Sequence, residues 1–359
     1  MLLDKNQIGE QYLFCTPQKL LRVTTTDECH ETANENQRIQ WDPPRCKIDQ
    51  LQIKLSNKCN FECRHCLENS SRNEHGFLYF NSWKDFLNDF AVHNSNGIVV
   101  LTGGEPLLHP NIEEIVTFLL QIGLQVRLFT NGALLDSNRI TQKTISQLDL
   151  IQLSLDGFSK DINDNIRDKG AFDAVTKSLE ICSALNVPVR ISCVLCDQNI
   201  EDVKNNCEKF FSAYCNENVS LNFSRIEPKG RGIQMCEGEE SGLKAQAEIR
   251  AFFASPHDKQ TIDSAKVCGY GNSLTIDHKG GVFACPSELS RLPEPISLQT
   301  VLNELSEKWR VLFDRAKNVC TSCHLAFTCK AGCFLENEES CDEVRKARTL
   351  LRMKYGFLE

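Results

Sequence analysis

The run Cys59-Asn60-Phe61-Glu62-Cys63-Arg64-His65-Cys66 sets three cysteines on a short loop after the strand-like stretch Leu51–Leu55. The spacing Cys-x3-Cys-x2-Cys suits a [4Fe–4S] cubane, whose four irons normally take four thiolates. Three thiolates leave one iron open to a small molecule. Zinc is the competing reading. It closes with four ligands at paired spacings, and here His65 is the only nearby fourth candidate. The spacing favours the cluster.

Outward from this loop, Ile98–Leu101 reads as a buried strand and runs into Gly103-Gly104-Glu105-Pro106. The glycines allow close backbone approach to a ligand, and the peptide groups and carboxylate suit a protonated amine. The alternation then repeats. Strands are expected at Gln125–Phe129, Leu150–Leu155, Val189–Leu195 and Val219–Phe223. Helices are expected at Trp83–Val92, Ile112–Ile122, Arg139–Gln147, Phe172–Leu185 and Ile200–Tyr214. This is the pattern of βαβ units around a parallel sheet. Thr130-Asn131-Gly132 follows the third strand, and Ser154-x-Asp156-Gly157 ends the fourth. Each is a common turn former when taken alone. Arg167 precedes a helix, where a surface ion pair with Asp164 or Asp168 is one reading.

A second cysteine series lies beyond the repeats. It runs Cys268, Gly280-x4-Cys285, Cys320-x2-Cys323-x5-Cys329-x3-Cys333, and finally Cys341. The two series use ten of the nineteen cysteines, and the second has enough for roughly two cubanes. Two zinc-ribbon sites are the alternative. Ser273–Ile276 and Val282–Ala284 flank Asp277-His278-Lys279-Gly280 and read as a hairpin that brings Cys268 and Cys285 together. Asp277 is favoured in such a turn for local reasons and is also a catalytic candidate. Cys193 and Cys196 lie in a strand pattern and read as core residues. Cys15, Cys29, Cys46, Cys182, Cys207 and Cys215 read as ordinary thiols.

The remaining sequence sets bounds. A chain of 359 residues holds about two domains and a sizeable core. Residues 1–48 form a separate segment, with Gln11–Phe14 and Leu20–Thr24 as a β-hairpin and a polar stretch at Asp27–Gln40. Residues 49–235 carry the repeats, and 236–359 a linker helix and the second cysteine series. There is no signal-like N-terminus and no run near the roughly 20 apolar residues of a membrane span. Cysteine at this density favours metal over disulfides and points to a cytoplasmic, oxygen-sensitive protein. A net charge of −8 with scattered acidic residues argues against nucleic-acid binding.

In this order, the cysteine loop, the Gly-Gly-Glu-Pro run and the later strand-end segments resemble the radical S-adenosylmethionine (SAM) enzymes. The C-terminal series resembles the SPASM domain in all seven cysteines, so the likeness spans roughly residues 50–345. It implies an α/β fold, a partial (β/α)6 barrel with a C-terminal SPASM domain, and a site at the C-terminal strand ends. The cofactors implied are SAM and three [4Fe–4S] clusters. Cys59, Cys63 and Cys66 would hold the radical cluster. Cys268, Cys285 and Cys333 would serve one auxiliary cluster, and Cys320, Cys323, Cys329 and Cys341 the other. The first auxiliary cluster would keep an open iron or take a distant ligand such as Cys236. Gly103, Gly104, Glu105, Pro106, Thr130, Asn131, Ser154 and Asp156 would contact SAM. His65 would lie near the adenine, and Arg167 would pair with the methionine carboxylate.

The activity implied is maturation of a ribosomally made peptide or a protein, with hydrogen abstraction leading to a thioether or carbon–carbon crosslink. Formylglycine formation in sulfatases and tetrapyrrole or quinone-cofactor synthesis are alternatives of the same class. A non-catalytic iron–sulfur electron carrier is the alternative from another class. The expected partners are the peptide or protein and a low-potential donor such as flavodoxin or ferredoxin. A leader, if present, would bind a partner protein or the N-terminal hairpin edge.

Overall fold

The computed structural model describes residues 12–14, 22–24, 48–227, 229–235, 245, 248–249, 273–284 and 297–304. Two short strands come first, β1 (Tyr12–Phe14) and β2 (Arg22–Thr24). Six further strands follow as β3 (Gln50–Ser56), β4 (Ile98–Gly103), β5 (Gln125–Thr130), β6 (Leu150–Ser154), β7 (Val189–Leu195) and β8 (Val219–Arg225). Neighbours in this set pair in parallel and in chain order, as the expected partial (β/α)6 barrel requires. Between them run helices α1 (Lys84–His93), α2 (Ile112–Gln121), α3 (Gln142–Ile145), α4 (Lys160–Ile166), α5 (Ala171–Ala184) and α6 (Ile200–Tyr214).

The core lies between strands and helices, and residue spacing explains it. In β7, Val189, Ile191, Cys193 and Leu195 alternate into the core. Helix α2 meets the same core through Ile112, Ile115, Val116 and Leu119, the spacing of one helical face. On the opposite sheet face the Arg190 guanidinium lies 5.4 Å from the Phe129 ring centroid.

Two helices depart from the sequence expectation. α3 is a single turn, capped by Thr141, whose Oγ1 accepts the Thr144 N–H. α4 has only Ile162 and Ile166 as apolar residues, too few for a periodic signal.

Both expected hairpins form, and each extends the barrel sheet. β1 pairs antiparallel with β2 and with β8. β9 (Ser273–Ile276) pairs antiparallel with β10 (Val282–Phe283) and parallel with β3. The result is a ten-stranded sheet ordered β10-β9-β3-β4-β5-β6-β7-β8-β1-β2. Among the described residues, no helix is long and apolar enough to cross a membrane. Cys268, Cys285, Cys320, Cys323, Cys329, Cys333 and Cys341 lie outside the described residues, as do Cys15, Cys29, Cys46 and Cys236.

Candidate active site

The loop after β3 brings Cys59, Cys63 and Cys66 into one small apolar cluster with Phe61 and Ala171. Cys59 Sγ accepts the Phe61 N–H at 3.4 Å and faces Asn131 Nδ2 at 3.7 Å. Cys63 Sγ faces Arg167 Nη1 at 3.9 Å. Burial pushes the Cys59 thiol up to about 12 and the Cys63 thiol up to about 11. Left alone these thiols stay protonated, so a cationic metal centre is needed to hold them as thiolates.

The donor set fits a cubane better than zinc. Among the described residues, no three His, Cys, Asp or Glu side chains converge as ligands of a single ion, whereas a cubane's thiolates each bind a different iron. His65, the fourth zinc candidate, turns instead to Asp156, with which its Nε2 pairs. The Cys59 and Cys63 sulfurs also have N–H neighbours of the kind that tune a cluster.

This loop has little regular structure, and distant segments hold it. The Cys59 N–H donates to the Ser71 carbonyl at 3.0 Å, and the Arg64 N–H to the Ile166 carbonyl at 2.9 Å. The Asp168 carboxylate accepts from the Glu62 N–H at 3.2 Å and from Arg72 at 2.5 Å. Arg64 Nη1 reaches Gln198 Oε1 at 2.9 Å.

The Gly-Gly-Glu-Pro run lies against the same loop. Gly103 has φ +131°, in the region that favours glycine. A Cβ at Gly103 would strike the Ser56 carbonyl oxygen, and one at Gly104 would strike that of Lys58. What the glycines approach is therefore the chain's own backbone. The Gly104 N–H donates to Ser56 O at 2.6 Å and the Glu105 N–H to Lys58 O at 2.9 Å. The Glu105 carboxylate points inward as well. Oε1 accepts from Thr130 Oγ1 at 2.7 Å and Leu107 N at 3.1 Å, and Oε2 from Asn131 N at 2.9 Å. Burial raises its pKa to about 7, against the pull of these donors. Glu105 thus latches the end of β4 to the end of β5. Pro106 opens a 3-10 turn at Pro106–Leu108 that Glu105 caps.

Asp156 is the second centre. It is fully buried two residues past β6. Its Oδ1 accepts the Val194 N–H at 2.7 Å, and its Oδ2 meets both His65 and Arg167. Arg167 Nε stands 2.7 Å away as an ion pair whose N–H is not aligned as a hydrogen bond. Burial favours the neutral acid, but Arg167, His65 and the Val194 amide outweigh it and hold the pKa at about 2. Arg167 is therefore neither a surface residue nor a partner of Asp164 or Asp168. Asp164 accepts the Gly170 and Phe172 N–H groups at 2.8 Å each, and Asp168 pairs with Arg72.

Asn131 Nδ2 donates to Asn60 Oδ1 at 2.8 Å, and its own Oδ1 accepts from Ala133 N at 3.0 Å. Ser154 is half-buried at the end of β6, in register with Ser192. Asp277 sits in the β9–β10 turn, where Oδ1 accepts the N–H groups of Lys279 at 2.9 Å and Gly281 at 2.7 Å. That is a turn role. Cys193 and Cys196 are both buried, Cys193 in the main core and Cys196 in a separate small cluster just past the strand. Ser71, Arg72, Asp168 and Gln198 carry no sequence signal for holding the loop, since their partners are backbone groups and distant side chains.

The family model described as "Radical SAM superfamily" matches residues 53–210. Mycofactocin maturase MftC of Mycolicibacterium smegmatis is 26% identical over 82% of this chain and 79% of that protein. An AdoMet-dependent heme synthase of Methanosarcina barkeri is 29% identical over 80% and 94%. The subtilosin biosynthesis protein AlbA of Bacillus subtilis is 28% identical over 82% and 69%. Among solved structures, anSMEcpe with bound AdoMet and Cp18Cys peptide superposes with TM-score 0.61 at 18% identity, over 86% of this chain and 99% of that one. Streptococcus suis SuiB bound to S-adenosylmethionine gives 0.59 at 15%, over 80% and 73%. These two share the fold.

Proposed function

Because residues 53–210 match the Radical SAM superfamily model, we propose that the chain is a maturase that modifies a ribosomally made peptide or a protein. One arrangement carries the reading: Cys59, Cys63 and Cys66 lie together at the strand ends, with Asn131 and Arg167 beside their sulfurs. Cys59, Cys63 and Cys66 would hold a [4Fe–4S] cluster there, which with SAM would supply radical chemistry for hydrogen abstraction from a substrate carbon. The chain's own residues hold and shield. Phe61 and Asn131 direct N–H groups at Cys59, while Arg167 sets a fixed positive charge beside Cys63. Asp156 anchors that charge and His65 together. The apolar packing around the sulfurs limits water, which protects a reactive site.

The peptide substrate is supported by relatives and fold neighbours. AlbA is named for biosynthesis of a bacteriocin, anSMEcpe holds a Cp18Cys peptide, and another SuiB structure has its precursor peptide SuiA bound. The product we propose is a thioether or carbon–carbon crosslink. We assign Cys268, Cys285 and Cys333, and Cys320, Cys323, Cys329 and Cys341, as ligands of two auxiliary clusters, with flavodoxin or ferredoxin as the donor. The likeness to a heme synthase along 94% of that protein favours tetrapyrrole chemistry as the second reading.

Replacing Cys59, Cys63 and Cys66 together by Ala tests the core of this reading. Production of 5′-deoxyadenosine should vanish, and iron should fall by about four per chain while the rest remains. Undiminished SAM cleavage would overturn it. Mass spectrometry after turnover then separates the substrates: a two-hydrogen loss on a candidate peptide supports crosslinking, and turnover of a porphyrin instead supports the second reading.

A further inference from the structure

After β8 the chain leaves the sheet through a 3-10 segment, Gly230–Met235. Its first residues lie directly on the cysteine loop. Gly230 has φ +56°, and a Cβ there would meet the carbonyl oxygens of Cys66 and Leu67. No other residue fits that approach without displacing the loop.

Arg231 then grips the loop with its backbone and its side chain. Its N–H donates to Cys66 O at 3.0 Å. Its Nε donates to Cys63 O at 2.8 Å, and one terminal nitrogen to Ser70 O at 2.8 Å. The other terminal nitrogen reaches Asn69 Oδ1 at 3.3 Å. A planar guanidinium is suited to this, because its donors diverge in fixed directions while a lysine offers a single point charge. The carbonyls it takes belong to a loop with no sheet or helix to pair them, so an external donor is required. Within the loop, only weak turns are formed, Cys66 N to Cys63 O at 3.2 Å and Asn69 N to Cys66 O at 3.3 Å.

We infer that Arg231 is a positioning residue that holds the loop 63–70 in its ligand-presenting shape before any cluster is bound. The inference rests on the cluster-binding part of the proposed function and adds a residue outside the 53–210 match. Two ligands, Cys63 and Cys66, have their carbonyls fixed by one side chain and its own amide. The loop after the first barrel strand is thereby tied to the segment after the sixth. Bonded to the Cys63 carbonyl, the guanidinium would also place positive charge near a bound cluster.

The test uses the full-length chain as metal-free and as anaerobically reconstituted protein. In metal-free Arg231→Ala, amide exchange across residues 63–70 should rise about tenfold or more, the opening expected from losing one net hydrogen bond. Exchange in β3–β8 should stay as in the parent. Cluster insertion, followed by absorbance, should slow. Once loaded, the cluster should show a lower midpoint potential and shifted EPR signals, because a nearby cation has gone. Guanidinium ion added to Arg231→Ala should restore loop protection. If Arg231→Ala does not fold, Arg231→Lys replaces it, with loop exchange expected to rise while the potential stays near the parent value. Unchanged loop exchange in the folded variant, or protection lost equally across the barrel, would overturn the inference. The exchange readout needs neither SAM nor substrate, so a failure of the proposed reaction would leave it standing, and the reverse holds.

Discussion

The ends of β4 and β6 each carry a fully buried carboxylate two residues past the strand, Glu105 and Asp156. Burial is the largest influence on both and pushes both toward the neutral acid. Their outcomes are opposite. Glu105 meets only neutral donors and ends near 7, whereas Asp156 meets a guanidinium and an imidazole and ends near 2. Burial alone therefore does not decide charge; the sign of the partners does. The first region is a latch that joins two strand ends. The second holds a permanent negative charge, and through it aims Arg167 at Cys63.

The largest effect is expected where that charge pair is split. Asp156→Asn leaves the Arg167 guanidinium buried without its counter-charge, and should cost about 3–5 kcal/mol in urea unfolding of the metal-free protein. Asp156→Asn combined with Arg167→Met should recover much of this loss. Equal destabilisation in the single and double variants would break the contrast with Glu105.

A smaller loss is expected at the latch. Glu105→Gln keeps one acceptor oxygen but leaves a buried N–H unmatched, at about 1–3 kcal/mol. The two sites should also respond to pH with opposite signs. Glu105 has a folded pKa above its ordinary 4.5, so the native state binds more protons between 4.5 and about 7. Stability from this group falls as pH rises through that window, by about 3 kcal/mol in total, and Glu105→Gln should flatten the slope. Asp156 has a folded pKa below its ordinary 3.8, so its contribution is present above 3.8 and lost as pH falls toward 2. Urea midpoints measured from pH 4.5 to 8 read the first trend directly. A parent slope that persists in Glu105→Gln would assign it to other groups.

The smallest effect should come from Asp277, a partly exposed carboxylate used in a turn. Asp277→Asn retains the acceptor oxygen and should change stability by less than about 0.5 kcal/mol. Product formation should persist. Its loss in a stably folded Asp277→Asn protein would support a catalytic role for Asp277 beside its turn role.

Much of the barrel was legible from residue order. β7 and α6 fall at the bounds that alternation and helical spacing indicate, Val189–Leu195 and Ile200–Tyr214. α4 was not, because its fold depends on Ile166 and Asn163 packing inward rather than on an apolar stripe. The cysteine loop was legible as chemistry, since a thiolate set is marked by its spacing. The Arg167 partner was not: Asp164 and Asp168 are near in sequence, yet Asp156 is the residue facing it across the strand ends.

By itself, the sequence determined the parallel alternation, the three-cysteine loop at the first strand end, and the two flanking hairpins. These follow from local periodicity and turn chemistry, which need no knowledge of distant contacts. The tertiary structure decided where the hairpins pair, extending the sheet beside β3 and β8. It also decided that Gly103 and Gly104 accommodate the chain's own backbone, that Glu105 is a latch, and that Asp156 is a charged hub. Those roles depend on which polar groups meet once water is excluded. That encounter is set by the packing of strand ends far apart in the chain.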